Sequence, residues 1–345
     1  MRIAVVNNWV PFLRGGAEHL AEALTAKFIE YGHQATLIRL PFCWTPPQKI
    51  LDSILACRCT CLDNIDRVVA LKFPAYCVPH ENKIVWLVHQ FRQAYDQWGT
   101  EFQSIPDTPE GRRIRDVIVA SDNSFLPESR AIYTNSRVTA ERLQRFNKIG
   151  STVLFPPLFT SSHLVPGEYG DYVFVPGRIT LAKRQHLACE AMRYSKSGIR
   201  MIIAGPPETP GDAGRLREIV ARHSLGDRVE IIPRFITEAE KAAYMANALA
   251  CVYIPYDEDS YGYVTLEAAH ACKATVTCTD SGGISILVMD DRTGCICEPD
   301  PKTLADTFDH LFHNRKEAER MGTAAREHML SLKISWDHVI ERLTA

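Results

Sequence analysis

A chain of 345 residues is long for one hydrophobic core and predicts two domains. Its 46% hydrophobic and 23% charged content is that of a globular protein and excludes a disordered or fibrous one. A net charge of −2 gives no reason for nucleic acid as the main partner, and no apolar run approaches the roughly 20 residues that cross a bilayer.

The opening MRIAVVNNWV runs straight into a strand-like stretch without the layout of a signal peptide, so a cytoplasmic protein is expected. Along the first half, RIAVVN, QATLIRL, RVVALK, KIVWLVH and AIYTNS read as strands, with a periodic helix at 17–31. In the loop after the first strand, Gly15 and Gly16 precede that helix. Their bare backbone suits either a phosphate at the helix N-terminus or a plain turn. Neither GxGxxG nor GxxxxGK[ST] occurs, which removes support for dinucleotide oxidoreductases and P-loop enzymes. Cys57, Cys59 and Cys61 alternate in CRCTC, with Cys77 beyond. The run lacks the paired knuckles of zinc sites, so small buried apolar side chains are expected there rather than a thiolate metal site. His89 stands where the fourth strand emerges, placed either for catalysis or for a structural hydrogen bond. EGRRIRD puts three arginines on a helix, read as a solvated face that leaves room for a membrane-surface contact.

The stretch 155–169, FPPLFTSSHLVPGEY, has three prolines and no periodicity, and reads as a linker. Up to residue 155 there are 18 Lys/Arg against 15 Asp/Glu, so the first half is near +3; the remaining 21 against 26 leave the second near −5. Beyond the linker, YVFVPGR, IRMIIAG, RVEIIP, ACVYIPY, ATVTCT and GCICEP read as strands, with a helix at 181–193. Alternation of buried strands and helices in both halves predicts α/β doubly wound parallel sheets, twice over. Ligands of such sheets gather beyond the carboxyl ends of strands. Arg178 and Lys183 flank the turn after the first strand of this half and form a candidate diphosphate clamp beside free N–H groups, with surface charge the alternative. Phe235, in PRFI, stands where a base or ribose pocket would be shaped. In DEDSYGYVTLEAAHA, Gly262 allows a ligand to approach the backbone at a helix start. Asp259 and Glu267 are eight residues apart, with reach to one pocket, where carboxylates would accept from vicinal hydroxyls. The alternative is an N-cap aspartate and a structural glutamate, although Glu267 in this apolar stretch would be costly without a partner.

These residues resemble the retaining nucleotide-sugar glycosyltransferases of family 4, which have the GT-B fold. DSYGYVTLEAAHACKATVTCTDSGG is similar to the family signature EGFGxxxLEAMAxGxPVVxTxxGG. GGAEHLAEALTAKFIEYGHQATLI, TNSRVTAERL, VPGRITLAKRQHLACEAM and ISWDHVIERL resemble further family blocks in order, so the likeness covers nearly the whole chain. The resemblance implies two Rossmann-like domains facing a cleft. An acceptor-binding domain would take 1–160 plus a crossover helix at 332–345, and a nucleotide-sugar-binding domain 170–331. It also implies that Glu267 holds the donor ribose. Asp259, Tyr261 and Gly262, with the backbone N–H groups of Tyr263 and Val264, hold the donor hexose and phosphate. Arg178 and Lys183 neutralise the diphosphate, Gly15 and Gly16 touch it, and His89 lies near the reacting face. Transfer would proceed with retention and without a metal, the leaving phosphate oxygen helping to deprotonate the acceptor.

The co-substrate would be a nucleotide-diphosphate sugar of UDP or GDP type, with no other cofactor, and the acceptor a saccharide or lipid-linked molecule at the inner face of the membrane. Bacterial surface-polysaccharide assembly fits such a role. A non-catalytic nucleotide-sugar-binding protein and an epimerase of the same fold are the alternatives. Three positions depart from the family pattern: Asp259 for glutamate, Ser260 for glycine and Ile286 for an acid. They bear on donor identity more than on reaction class.

Overall fold

The computed structural model describes all residues except 13–14, 101–102 and 259. The chain divides into two compact units, Met1–Phe159 with Ile334–Ala345, and Thr160–Lys333.

In the first unit, β1 (Arg2–Trp9), β2 (Gln34–Pro41), β3 (Arg67–Ala70), β4 (Lys83–Leu87), β5 (Ala131–Thr134) and β6 (Thr152–Val153) form one parallel sheet in the order β2-β1-β3-β4-β5-β6. The two-residue β6 is the one strand not expected from the sequence, because a pair of residues carries no periodicity. The central strands are buried on both faces, which explains their unbroken apolar runs. Alternate residues serve opposite layers. Ala4, Val6, Val68, Ala70, Val85 and Leu87 pack toward α2 (Lys49–Arg58) and α3 (Pro109–Phe125), with Leu143 of α4 (Arg137–Asn147). Ile3, Val5, Val69, Ile84 and Trp86 pack toward α1 (Gly16–Glu30). The chain's last helix, Trp336–Thr344, lays Trp336, Val339, Ile340 and Leu343 into this second layer, and Trp336 Nε1 donates to Leu158 O at 2.7 Å. Cys57 and Cys77 are buried as expected, but Cys59 and Cys61 are exposed, since α2 ends at Arg58 and releases the chain outward.

The second unit holds β7 (Tyr172–Pro176), β8 (Arg200–Ala204), β9 (Val229–Ile232), β10 (Ala250–Val252), β11 (Thr275–Cys278) and β12 (Gly294–Cys297), all parallel, in the order β12-β11-β10-β7-β8-β9. Its helices are α5 (Gln185–Ala191), α6 (Pro210–Arg222), α7 (Glu238–Ala246), α8 (Tyr263–His270), α9 (Pro301–His313) and α10 (Arg315–Ser331), after which the first unit's terminal helix is α11. β8 and β9 extend the sheet to one side of β7, and β10, β11 and β12 to the other. The ends of β7 and β10 therefore flank the point where the strand order reverses, where α/β sheets open a crevice. α5 is shorter than the expected helix over 181–193: Arg184 takes a left-handed φ of 55° and stops helix from extending back over 181–183.

Candidate functional site

The loop after β7 and the loop after β10 meet at that reversal. Lys183 Nζ donates to the Tyr253 hydroxyl and to Glu258 Oε2, and Tyr253 donates to the same Glu258 oxygen at 2.8 Å. Burial works against the Lys183 charge, but Glu258 and Tyr253 outweigh it and hold the ammonium above its ordinary pKa. Next to it, Arg184 donates to Ile254 O, Pro255 O and both oxygens of Asp280, so one guanidinium ties together the loops after β7, β10 and β11. The acidic segment is fixed from its other side: Asp257 N donates to Asp280 O, Glu258 N to Ser281 O and Gly283 N to Glu258 O. That approach requires Gly282, whose φ is 68° and whose added Cβ would lie 2.5 Å from Glu258 O.

Gly262 precedes α8 with a φ of 68°, and a Cβ there would lie 2.3 Å from Tyr253 Cε1. Only glycine lets α8 begin against the ring that contacts Lys183. The first-turn N–H groups of Tyr263 and Val264 have no acceptor within their own helix, which leaves them for an anionic or polar ligand. Tyr261 is buried, and Val264 nearly so. Glu267, on the next turn, is only 8% exposed, and its Oε1 accepts from Lys241 Nζ of α7 at 2.5 Å. Burial raises the Glu267 pKa, and Lys241 opposes the rise without cancelling it. Lys241 is thus the partner this buried acid needs. Phe235, beyond β9, is 75% exposed, a free aromatic face beside Arg234, which is anchored to Glu240 at 2.7 Å.

Arg178 and Lys183 each pair with an acid of their own: Arg178 reaches Glu208 at 3.2 Å while Lys183 holds Glu258. Lys183 directly precedes Arg184, the N-cap of α5, which begins at Gln185. Asp259 lies outside the described residues, whereas its neighbour Glu258 contacts the lysine. Glu258, Tyr253 and Lys241 were not singled out from sequence. A run of three acids in DED gave no sign that Glu258 meets the lysine, and Lys241 sits three residues after Glu238 as an ordinary helical ion pair would.

In the first unit the strand order reverses between β1 and β3, and a similar pair stands there. Gly15 N donates to Glu18 Oε2 at 2.8 Å, and Glu18 Oε1 accepts from Lys72, just beyond β3, at 2.5 Å. Gly16 is the first residue of α1. Burial would raise the Glu18 pKa, but Lys72 and the local N–H groups hold it below its ordinary value. A carboxylate thus occupies the N-terminus of α1, where the sequence left a phosphate and a plain turn both open. His89 Nδ1 lies 2.7 Å from Gln90 O, so the neutral ring carries its proton on Nδ1. Gln90 leads to a buried network in which Tyr76 and Tyr95 donate to Asp122 at 2.7 and 2.6 Å. Among the described residues, no group of three or more His, Cys, Asp or Glu side chains is placed to hold a metal ion. No helix is long and apolar enough to cross a membrane among those residues.

Residues 163–328 match the family described as glycosyl transferases group 1. The chain is 28% identical over 209 residues to alpha-maltose-1-phosphate synthase of Mycolicibacterium smegmatis, covering 57% of this chain and 54% of that protein. It is 30% identical over 179 residues to a D-inositol 3-phosphate glycosyltransferase of Gordonia bronchialis, covering 48% and 38%. The chain thus spans about half or less of these relatives' length. Among solved structures, sucrose-phosphate synthase from Thermosynechococcus elongatus superposes with a TM-score of 0.79 at 17% identity, covering 99% of this chain and 97% of that one. HepE from Anabaena, in complex with UDP-glucose, gives 0.73 at 12%, covering 99% and 98%. These structural likenesses show the fold, which is the GT-B architecture.

Proposed function

We propose that this chain, which belongs through residues 163–328 to the glycosyl transferases group 1, moves a hexose from a nucleotide-diphosphate sugar to a saccharide or glycoconjugate acceptor. The observation that carries this reading is Lys183, held between Tyr253 and Glu258 where the strand order of the second unit reverses. An ammonium kept charged by one carboxylate, at a strand-end crevice beside the open first turn of α8, is suited to exchange that carboxylate for a diphosphate. In transfer, negative charge grows on the leaving diphosphate, and Lys183 stabilises it most when the bond to the sugar is nearly broken. Arg178, exposed and loosely paired, turns from Glu208 to the same group. Glu267 accepts from the ribose hydroxyls and Phe235 borders the base. Tyr261, Gly262 and the N–H groups of Tyr263 and Val264 hold phosphate and hexose, with Asp259 beside the hexose. Gly15, Gly16 and His89 are proposed site residues at the first unit's own strand ends.

The finer reading follows the resemblance: transfer with retention, without a metal, from a UDP or GDP donor, in cytoplasmic surface-polysaccharide assembly at the membrane face. The Anabaena structure with UDP-glucose supports a UDP donor by likeness of fold. The test is a thermal-shift panel of UDP, GDP, ADP and their sugars, followed by product analysis. Ligand at about a hundred times its Kd stabilises by roughly 2.7 kcal/mol, which raises the midpoint by roughly 5–10 °C in a domain of this size. A panel without any shift on the wild-type protein defeats the donor-site reading.

A further inference from the structure

Glu267 is a deeply buried acid whose described partner is a cation reaching across from another helix. Lys241 starts on α7, bridges Glu238 at 2.9 Å on its own helix, and meets Glu267 Oε1 of α8 at 2.5 Å. Glu238 is mostly exposed and also faces His163 at 3.5 Å, so it is a solvent-screened neighbour that does not fix the lysine. Glu267 Oε2 takes no hydrogen bond from a described residue, and the side chain keeps 10% of its surface open.

This geometry separates the two oxygens. One is fixed by a charge-assisted bond that stops the carboxylate rotating; the other is left as a bare acceptor. Burial alone would favour the neutral acid, whose O–H competes as a donor and accepts poorly. An ammonium in contact favours the ionised form, the one that accepts from two neighbouring hydroxyls.

Resting on the function proposed above, we infer that Lys241 is a positioning residue of the donor site, clamping Glu267 Oε1 so that Oε2 receives the ribose diol of the nucleotide. Lys241 touches Glu267 and no reacting atom, so its loss weakens donor binding while leaving turnover at saturation.

The experiment compares binding of UDP, GDP and ADP with their 2′,3′-dideoxy forms in the wild type and in Lys241→Met, Lys241→Gln, Lys241→Arg and Glu238→Gln, each checked for folding by circular dichroism. Loss of a hydrogen bond to a charged group corresponds to at least about a tenfold change in affinity. The wild type is expected to prefer the ribonucleotide by that factor. Lys241→Met and Lys241→Gln should lose most of the preference and raise the donor KM with kcat retained, Lys241→Arg should restore it, and Glu238→Gln should keep it. A wild type that discriminates, with neutral Lys241 variants that discriminate equally, overturns the role of Lys241 alone. Loss of the preference in Glu238→Gln to the same extent also overturns it, because the effect then belongs to the surface of α7. A wild type that binds no nucleotide, or binds both forms equally, overturns the donor-site assignment of Glu267 and this inference with it.

Discussion

Replacing Gly262 with alanine adds one methyl group at the tightest point of the second unit's candidate site. The φ of 68° is strained for any residue with a Cβ, at a cost of about 1–2 kcal/mol. The new atom would also lie 2.3 Å from Tyr253 Cε1 and 3.0 Å from Cζ, so the ring or the start of α8 must move, at about 1–3 kcal/mol more. The ring cannot retreat freely, because its hydroxyl is bonded to both Lys183 and Glu258. Together these give roughly 2–5 kcal/mol and, at roughly 2–4 °C per kcal/mol, a fall in midpoint of roughly 4–20 °C. Differential scanning calorimetry of Gly262→Ala beside Gly226→Ala measures it, since Gly226 has open space around its Cβ position and no positive φ. Nucleotide binding measured on folded Gly262→Ala protein below the transition should fall as well, because Lys183 and the first turn of α8 are displaced together. A midpoint within about 1 °C of wild type, with binding unchanged, refutes the steric argument.

Lys183→Met keeps the length of the stem and removes the charge that Glu258 now holds; transfer from the donor identified in the nucleotide panel should drop by at least about a hundredfold with the far-ultraviolet spectrum unchanged, and wild-type turnover would defeat the assignment. Burial raises the Asp122 carboxyl from 3.8 to about 7, despite its bonds to Tyr95 and Tyr76. A carboxyl raised in the folded state favours folding while protonated, so its contribution is complete below pH 3.8 and is lost as the pH rises through about 7. Denaturant midpoints of the wild type should therefore carry a downward component between pH 4 and 8 that Asp122→Asn lacks, and parallel pH profiles would count against it. Trp336→Ala empties a nearly buried site in the first unit and orphans Leu158 O, which should cost about 3–5 kcal/mol by chemical denaturation; a loss below about 1 kcal/mol would mean that α11 contributes little.

Strands such as YVFVP and KIVWL were legible because burial on both faces demands unbroken apolar runs, and α8 was legible from the glycine before it. His89, Gly15 and Gly16 could be placed at strand ends, but their hydrogen bonds could not. The sequence left open whether Gly15 served a phosphate or a plain turn; its N–H meets Glu18, three residues on, which Lys72 from beyond β3 holds there. The start of α5 was misread, since apolar spacing in LAKRQHL does not reveal that Arg184 turns left-handed to reach Asp280, 96 residues away.

By itself, the sequence determined the alternation of strands and helices in two halves, the glycine at the start of α8 and the ordered blocks that resemble a glycosyltransferase pattern. Each depends on neighbours within a turn or a strand, where backbone sterics and burial act locally. Only the tertiary structure decided which charges meet. Lys183 finds Glu258 because β10 returns to the free side of β7, Lys241 finds Glu267 because α7 lies beside α8, and α11 joins the first unit by burying Trp336 against it. Strand order and helix docking are set by long-range packing of whole layers, and no periodicity in the chain encodes which side of a sheet the next strand will take.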